Sequence, residues 1–200
     1  MQTKFLKPNN PLLRKVAKEV HRHQINSPQI KKIAEVMLKI IQKEQKLHNR
    51  GAGLAATQIG ILKRIILVDV TANKKGTGGN LRIYINPKII WQSKRLGEWY
   101  EGCYSTGKVC GIVSRPTSIR IKAFTLQPER LQAKLVEEKW SGYAARIFQH
   151  EIDHLDGKVF IEHIKNPDKL HWVEKEEFPL YRNKEAWRNW PKKAAFNVLK

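Results

Sequence analysis

The sequence predicts an α+β fold, mostly antiparallel sheets packed around one central helix that carries a metal-binding motif, with a second long helix covering the sheet. Three observations predict it. Residues 149–155 read QHEIDHL within an apolar pattern of helical period. Residues 28–47 form a longer amphipathic run. Between them lie several short alternating segments separated by turn-forming residues.

The long helix opens at Ser27-Pro28, a cap followed by proline at the first helical position. Ile30, Ile33, Ala34, Met37 and Ile41 then trace one face toward Leu47. Ile61 to Val70 reads as a buried strand. The stretch TANKKGTGGN, residues 71–80, reads as a hairpin tip. A phosphate cradle at Gly76–Gly79 is rejected, because no Gly-Lys-Ser/Thr or helix start follows. Leu81–Asn86, Ile119–Phe124 and Leu131–Trp140 read as further strands. The central helix takes Ser141 as its cap and stops at Asp156-Gly157.

On that helix His150 and His154 stand four residues apart and share a face, about 6 Å apart at Cβ. Two imidazoles so placed can bind one metal ion, with Glu151 beside it to work on a water. Ala144, Ile147, Phe148, Glu151 and Leu155 recur at 3–4 spacing, so Glu151 lies next to an apolar stripe and needs a partner. The pattern specifies metal-assisted hydrolysis. A catalytic site of this kind takes three protein ligands. Glu162, His163 and His171 are candidates downstream; Cys103, within EGCYS, is the chemically stronger one, because thiolates bind such metals tightly. A Cys103–Cys110 disulfide is the alternative use of the two cysteines. Residues 51–58, GAGLAATQ, describe backbone that something approaches closely, ending in an amide donor at Gln58.

These three segments, GAGLAATQ, EGCYS and QHEIDH, in this order and spacing, resemble peptide deformylases. The resemblance spans roughly Lys7 to Ile164. It implies removal of the formyl group from N-formylmethionine at the start of nascent chains. It implies Cys103, His150 and His154 as metal ligands and Glu151 as general base and acid. The Gln58 amide and the backbone N–H of Tyr104 would stabilise the oxyanion. Gly53 would pair with the substrate backbone, and a hydrophobic pocket is implied near Ala52, Tyr143 and Ile147. Ferrous iron is the implied metal, with Zn2+, Ni2+ and Co2+ as alternatives. Zn2+ also suits the Cys-His-His set on softness. The sequence departs from the family pattern at Tyr104 (usually Leu), at Thr106-Gly107 (usually a hydrophobic residue and Pro) and at Cys110 (often Arg). The stretch Thr106–Gly111 is therefore expected to be a mobile loop. Two other functions stay open: a catalytically impaired relative that binds ribosomes or RNA, and a general H-E-x-x-H metallopeptidase.

Two hundred residues suit one domain with a substantial core. No apolar run is long enough for a membrane span, and no signal-peptide pattern is read at the N-terminus, so a cytoplasmic monomer is expected, with organellar import as the alternative. The formal net charge is +20, and residues 1–50 carry twelve Lys/Arg against three acids. Such a surface attracts polyanions, and ribosomal RNA is the expected partner. Residues 1–165 read as the catalytic domain. Residues 166–200 read as an aromatic and basic extension, holding Trp172, Trp187 and Trp190, that packs on the domain or on a partner.

Overall fold

The structure is a computed structural model that describes residues 4–48, 51–73, 78–126 and 132–195. Two longer helices, two short ones and two antiparallel sheets build the described residues. Helix α1 spans Pro28–His48. The larger sheet holds β1 (Gly53–Ala55), β2 (Ile65–Asp69), β3 (Leu81–Gln92), β6 (Ser118–Leu126) and β7 (Lys134–Ser141), in the order β1-β2-β3-β6-β7. The smaller sheet holds β4 (Leu96–Gly102), β5 (Val109–Pro116) and β8 (Leu170–Trp172). Helix α2, Gly142–Leu155, carries the histidines.

Strand alternation decides what covers each face of the larger sheet. Ile65, Leu67, Ile83, Ile85 and Phe124 project to α1, where Ile33, Met37 and Ile41 meet them. Ile66, Val68, Tyr84, Ile119 and Ile121 project to α2, packing on Phe148 and Ile152. Phe148 is fully buried between Tyr84 and Trp140, with ring centroids at 4.8 and 5.4 Å. From the other side of α2, Arg146 donates to the carbonyls of Val113 (3.1 Å) and Gly97 (2.6 Å), tying the helix to the smaller sheet. The metal helix is thus held between two sheets, as the sequence predicts.

Several boundaries differ from the expectation. The strand expected at Ile61 begins only at Ile65, after Gly60 turns the chain at φ +80°. The strand expected to end at Asn86 runs on to Gln92, across a bulge at Asn86 (φ +53°). Asn86 compensates by exchanging two 2.8 Å hydrogen bonds with the backbone of Val20. Ser141 stands at the cap position of α2 but its hydroxyl makes no capping bond. The expected loop at Thr106–Gly111 is a tight turn followed by strand: the Thr106 hydroxyl lies 3.0 Å from the carbonyls of both Cys103 and Val109, and β5 begins at Val109. Cys110 is buried opposite Gly102, and both cysteines are free thiols. At 71–80, where residues 74–77 lie outside the described ones, the backbone N–H groups of Gly78 and Gly79 both donate to Asp69 at 2.8 Å, so those donors are already taken.

The C-terminal segment folds against the smaller sheet. Strand β8 pairs with β5. Two short helices, α3 (Phe178–Tyr181) and α4 (Glu185–Arg188), bring Tyr181, Trp187 and Trp190 onto Trp99, Cys110 and Ile112. Two of the indole N–H groups are satisfied by backbone: Trp187 donates to Tyr181 O at 2.6 Å and Trp190 to Trp172 O at 3.0 Å. No helix among the described residues is long and apolar enough to cross a membrane.

Candidate metal centre

Cys103 follows the end of β4, while His150 and His154 occupy successive turns of α2. The fold brings one potential ligand atom from each within 4.8 Å of the others. Cys103 Sγ lies 3.1 Å from His154 Nε2. One thiolate and two imidazoles at this separation match a three-ligand site with an open position; tetrahedral bonds of about 2.0–2.3 Å would set ligand atoms about 3.5 Å apart. The downstream candidates are engaged elsewhere. Glu162 pairs with Arg14, His163 with Asp153 at 2.8 Å, and His171 with the Tyr181 hydroxyl at 2.8 Å.

Electrostatics agree. Burial alone would raise the Cys103 thiol, but the two imidazoles hold it well below the ordinary range, as a thiolate. Glu151 is 4% exposed, and its Oε2 has no hydrogen-bond partner among the described residues. Burial pushes its carboxyl up to about 7, against the pull of the two histidines. A buried, unpartnered carboxylate oxygen beside an intact donor set is what a water-activating site requires, so the residues present fit a metal.

Gln58 closes the other side. Its Oε1 accepts from Ala55 N at 2.8 Å, which fixes the amide and turns Nε2 toward Cys103 Sγ (3.2 Å) and Ser105 Oγ (3.3 Å). Gly53, in β1, passes so close to α2 that a Cβ there would meet the Glu151 carboxyl carbon and Ile147 Cγ2, each at 2.8 Å. Ala52, Tyr143 and Ile147 belong to one apolar cluster on this side of α2. The Tyr104 ring stacks on Phe5 at 3.9 Å and its hydroxyl donates to Glu44 at 3.1 Å.

Sequence reasoning missed a buried ion network behind the candidate ligands. Glu101 Oε2 lies 2.8 Å from His150 Nδ1. Arg115 grips the same carboxylate through Nε (2.6 Å) and Nη2 (2.9 Å), and Arg146 adds a third contact at 2.6 Å. Arg115 also reaches Asp153 at 2.8 Å. Burial opposes ionisation of Glu101, but Arg115 and then His150 hold it well below the usual carboxylate range. A carboxylate on the second ring nitrogen of a ligand histidine fixes its orientation. Glu101 and Asp153 stand inside EGCYS and QHEIDH, and an acid within two residues of a candidate ligand was the available signal.

The sequence model of the polypeptide deformylase family matches residues 2–170. The chain belongs to the polypeptide deformylase family. A peptide deformylase of Polynucleobacter necessarius subsp. necessarius is 38% identical over 76% of this chain and 79% of its own length. One from Bartonella tribocorum is 36% identical over 78% and 80%. The Met-Ala-Ser-bound crystal structure of the class I type b peptide deformylase from Acinetobacter baumannii superposes with a TM-score of 0.70 at 30% identity, covering 80% of this chain and 97% of that one. Peptide deformylases are metal-dependent hydrolases that remove N-formyl groups from nascent peptides, and that is the activity of this chain. The family match stops at residue 170, so most of the aromatic extension lies beyond it.

Proposed function

We propose that Cys103, His150 and His154 hold a single divalent cation, ferrous iron in the working enzyme, and that Glu151 is the general base and acid for hydrolysis of N-formylmethionyl peptides. The observation that carries this reading is the buried, unpartnered Oε2 of Glu151 beside three convergent ligand atoms. When bound, the cation supplies Lewis acidity and makes a water nucleophilic near neutral pH. Glu151 takes the proton of the attacking water and passes it to the leaving amine. The Gln58 Nε2, fixed by the bond that Oε1 of the same amide accepts from Ala55 N, and the backbone N–H of Tyr104 donate to the oxygen that becomes negative. Gly53 offers its backbone to an extended substrate, and Ile147 and Tyr143 with Ala52 receive the methionine side chain. A Met-Ala-Ser peptide on the A. baumannii relative supports this assignment of substrate class.

Residues 1–165 act as the catalytic unit and 166–200 as an extension, of which the described part, up to residue 195, is clasped to the smaller sheet. The enzyme works as a cytoplasmic monomer, and its net charge of +20 supports contact with ribosomal RNA. The test is formate release from formyl-Met-Ala-Ser by iron-loaded protein under anaerobic conditions. The wild type turns over, and Glu151→Gln retains the metal but releases no formate. Turnover by Glu151→Gln at the wild-type rate would overturn the assignment.

A further inference from the structure

We infer that the end of the larger sheet left uncovered by α1 is a platform for single-stranded RNA. The inference locates the RNA contact proposed above on named residues. Helix α1 covers the sheet as far as Ile85 and Phe124. Beyond the Asn86 bulge the same face carries Trp91, Arg120 and Lys139 in one cross-strand row, and Lys88, Lys122 and Glu137 in the next. All six are exposed, Trp91 by 46%. Lys139 Nζ stands 5.9 Å from the Trp91 ring centroid. Glu137 is the single acid of the two rows and is paired with Lys122 at 3.1 Å. Lys94 and Arg95, both exposed, extend the charge past the end of β3.

Two features of this face select the partner. A large aromatic left in water on a sheet, level with an arginine and a lysine, offers a stacking surface for an unpaired base, with cations placed for the flanking phosphates. Directly opposed residues in neighbouring strands project equally, about 5 Å apart. Trp91 therefore cannot enter a lipid bilayer without drawing Arg120 and Lys139 in with it. Duplex nucleic acid would present no free base face to the indole.

The test is fluorescence anisotropy of a labelled oligouridine of about 12 nucleotides titrated with the full-length protein, between about 50 and 200 mM KCl. The wild type binds with a marked salt dependence. Trp91→Ala weakens binding by roughly tenfold. Arg120→Gln and Lys122→Gln each lower the log–log salt slope by about 0.7. Lys43→Gln, on the solvent side of α1, leaves affinity within about twofold. Unchanged near-ultraviolet dichroism verifies the fold of each variant, and the Arg120 and Lys122 variants carry the test if Trp91→Ala misfolds. A wild type that binds no RNA would overturn the RNA reading of the basic surface. Wild-type binding that survives Trp91→Ala and both charge variants would overturn this location. Binding of phosphatidylglycerol vesicles in place of RNA, lost in Trp91→Ala, would overturn the occupant.

Discussion

Glu101 Oε2 lies 2.8 Å from His150 Nδ1, and the same carboxylate neutralises Arg115 and Arg146. One acid therefore orients a proposed ligand and compensates two cations that are nearly excluded from water. Glu101→Gln keeps the shape and removes the charge. It is expected to weaken metal affinity by about 10- to 100-fold in a chelator competition. It should also cost about 3–5 kcal/mol in urea unfolding, because Arg146 loses its counter-charge and Arg115 keeps only Asp153. Wild-type affinity in this variant would show that His150 is positioned by packing alone.

Gln58 Oε1 accepts from the Ala55 N–H at 2.8 Å, so the direction of its amide nitrogen is preset. Gln58→Ala is expected to lower kcat by roughly 10²- to 10³-fold while metal content stays at the wild-type level. A parallel loss of metal and rate would mean that the amide supports the Cys103 thiolate rather than the oxyanion.

Gly53 has no room for a side chain, its Cβ position lying 2.8 Å from the Glu151 carboxyl carbon. Gly53→Ala is expected to cost about 1–3 kcal/mol by overpacking and to lower kcat by displacing the carboxylate. Thermal unfolding and formate release measure the two effects separately. Wild-type stability and rate together would show that β1 stands farther from α2.

Much of this site is legible in the sequence because it sits on local patterns. The four-residue spacing of His150 and His154 defines a helical face, and Ser27-Pro28 and Asp156-Gly157 mark helix ends within a residue. The smaller sheet was illegible for a physical reason. Gly107 and Gly111 read as parts of one loop, but only Gly107 turns the chain, at φ +62°. Gly102 and Gly111 are strand residues whose missing side chains leave space for neighbours: a Cβ on Gly102 would stand 2.8 Å from Cys110 Sγ, and one on Gly111 would collide with Ile164 Cδ1. Asn86-Pro87 likewise reads as a strand end, and the bulge that carries the strand through depends on Val20, 66 positions away. Arg146 finds Glu101 across 45 positions, and no local period announces such a pair.

His171 gives the C-terminal clasp a pH dependence. Its Nδ1 faces the Tyr181 hydroxyl and its Nε2 the Asp168 carbonyl, both at 2.8 Å, with Lys193 Nζ 3.5 Å from Nε2. Burial, then the Lys193 charge, lower its pKa, against the opposing pull of Asp168. The unfolded chain, titrating near 6.5, then binds more protons than the folded one at acid pH. The stabilising contribution is complete above about pH 6.5 and is lost as pH falls below it. Wild-type melting temperature should drop between about pH 7.5 and 5.5, and His171→Gln should be less stable at about pH 7.5 with a shallower dependence. Parallel curves for the two proteins would remove His171 from this role.

The most direct measurement is the metal content of anaerobically purified protein, wild type beside Cys103→Ala. The geometry of Cys103, His150 and His154 predicts one equivalent of divalent metal per wild-type chain and its loss in the variant. A full equivalent retained by Cys103→Ala would place the third ligand elsewhere and contradict the account.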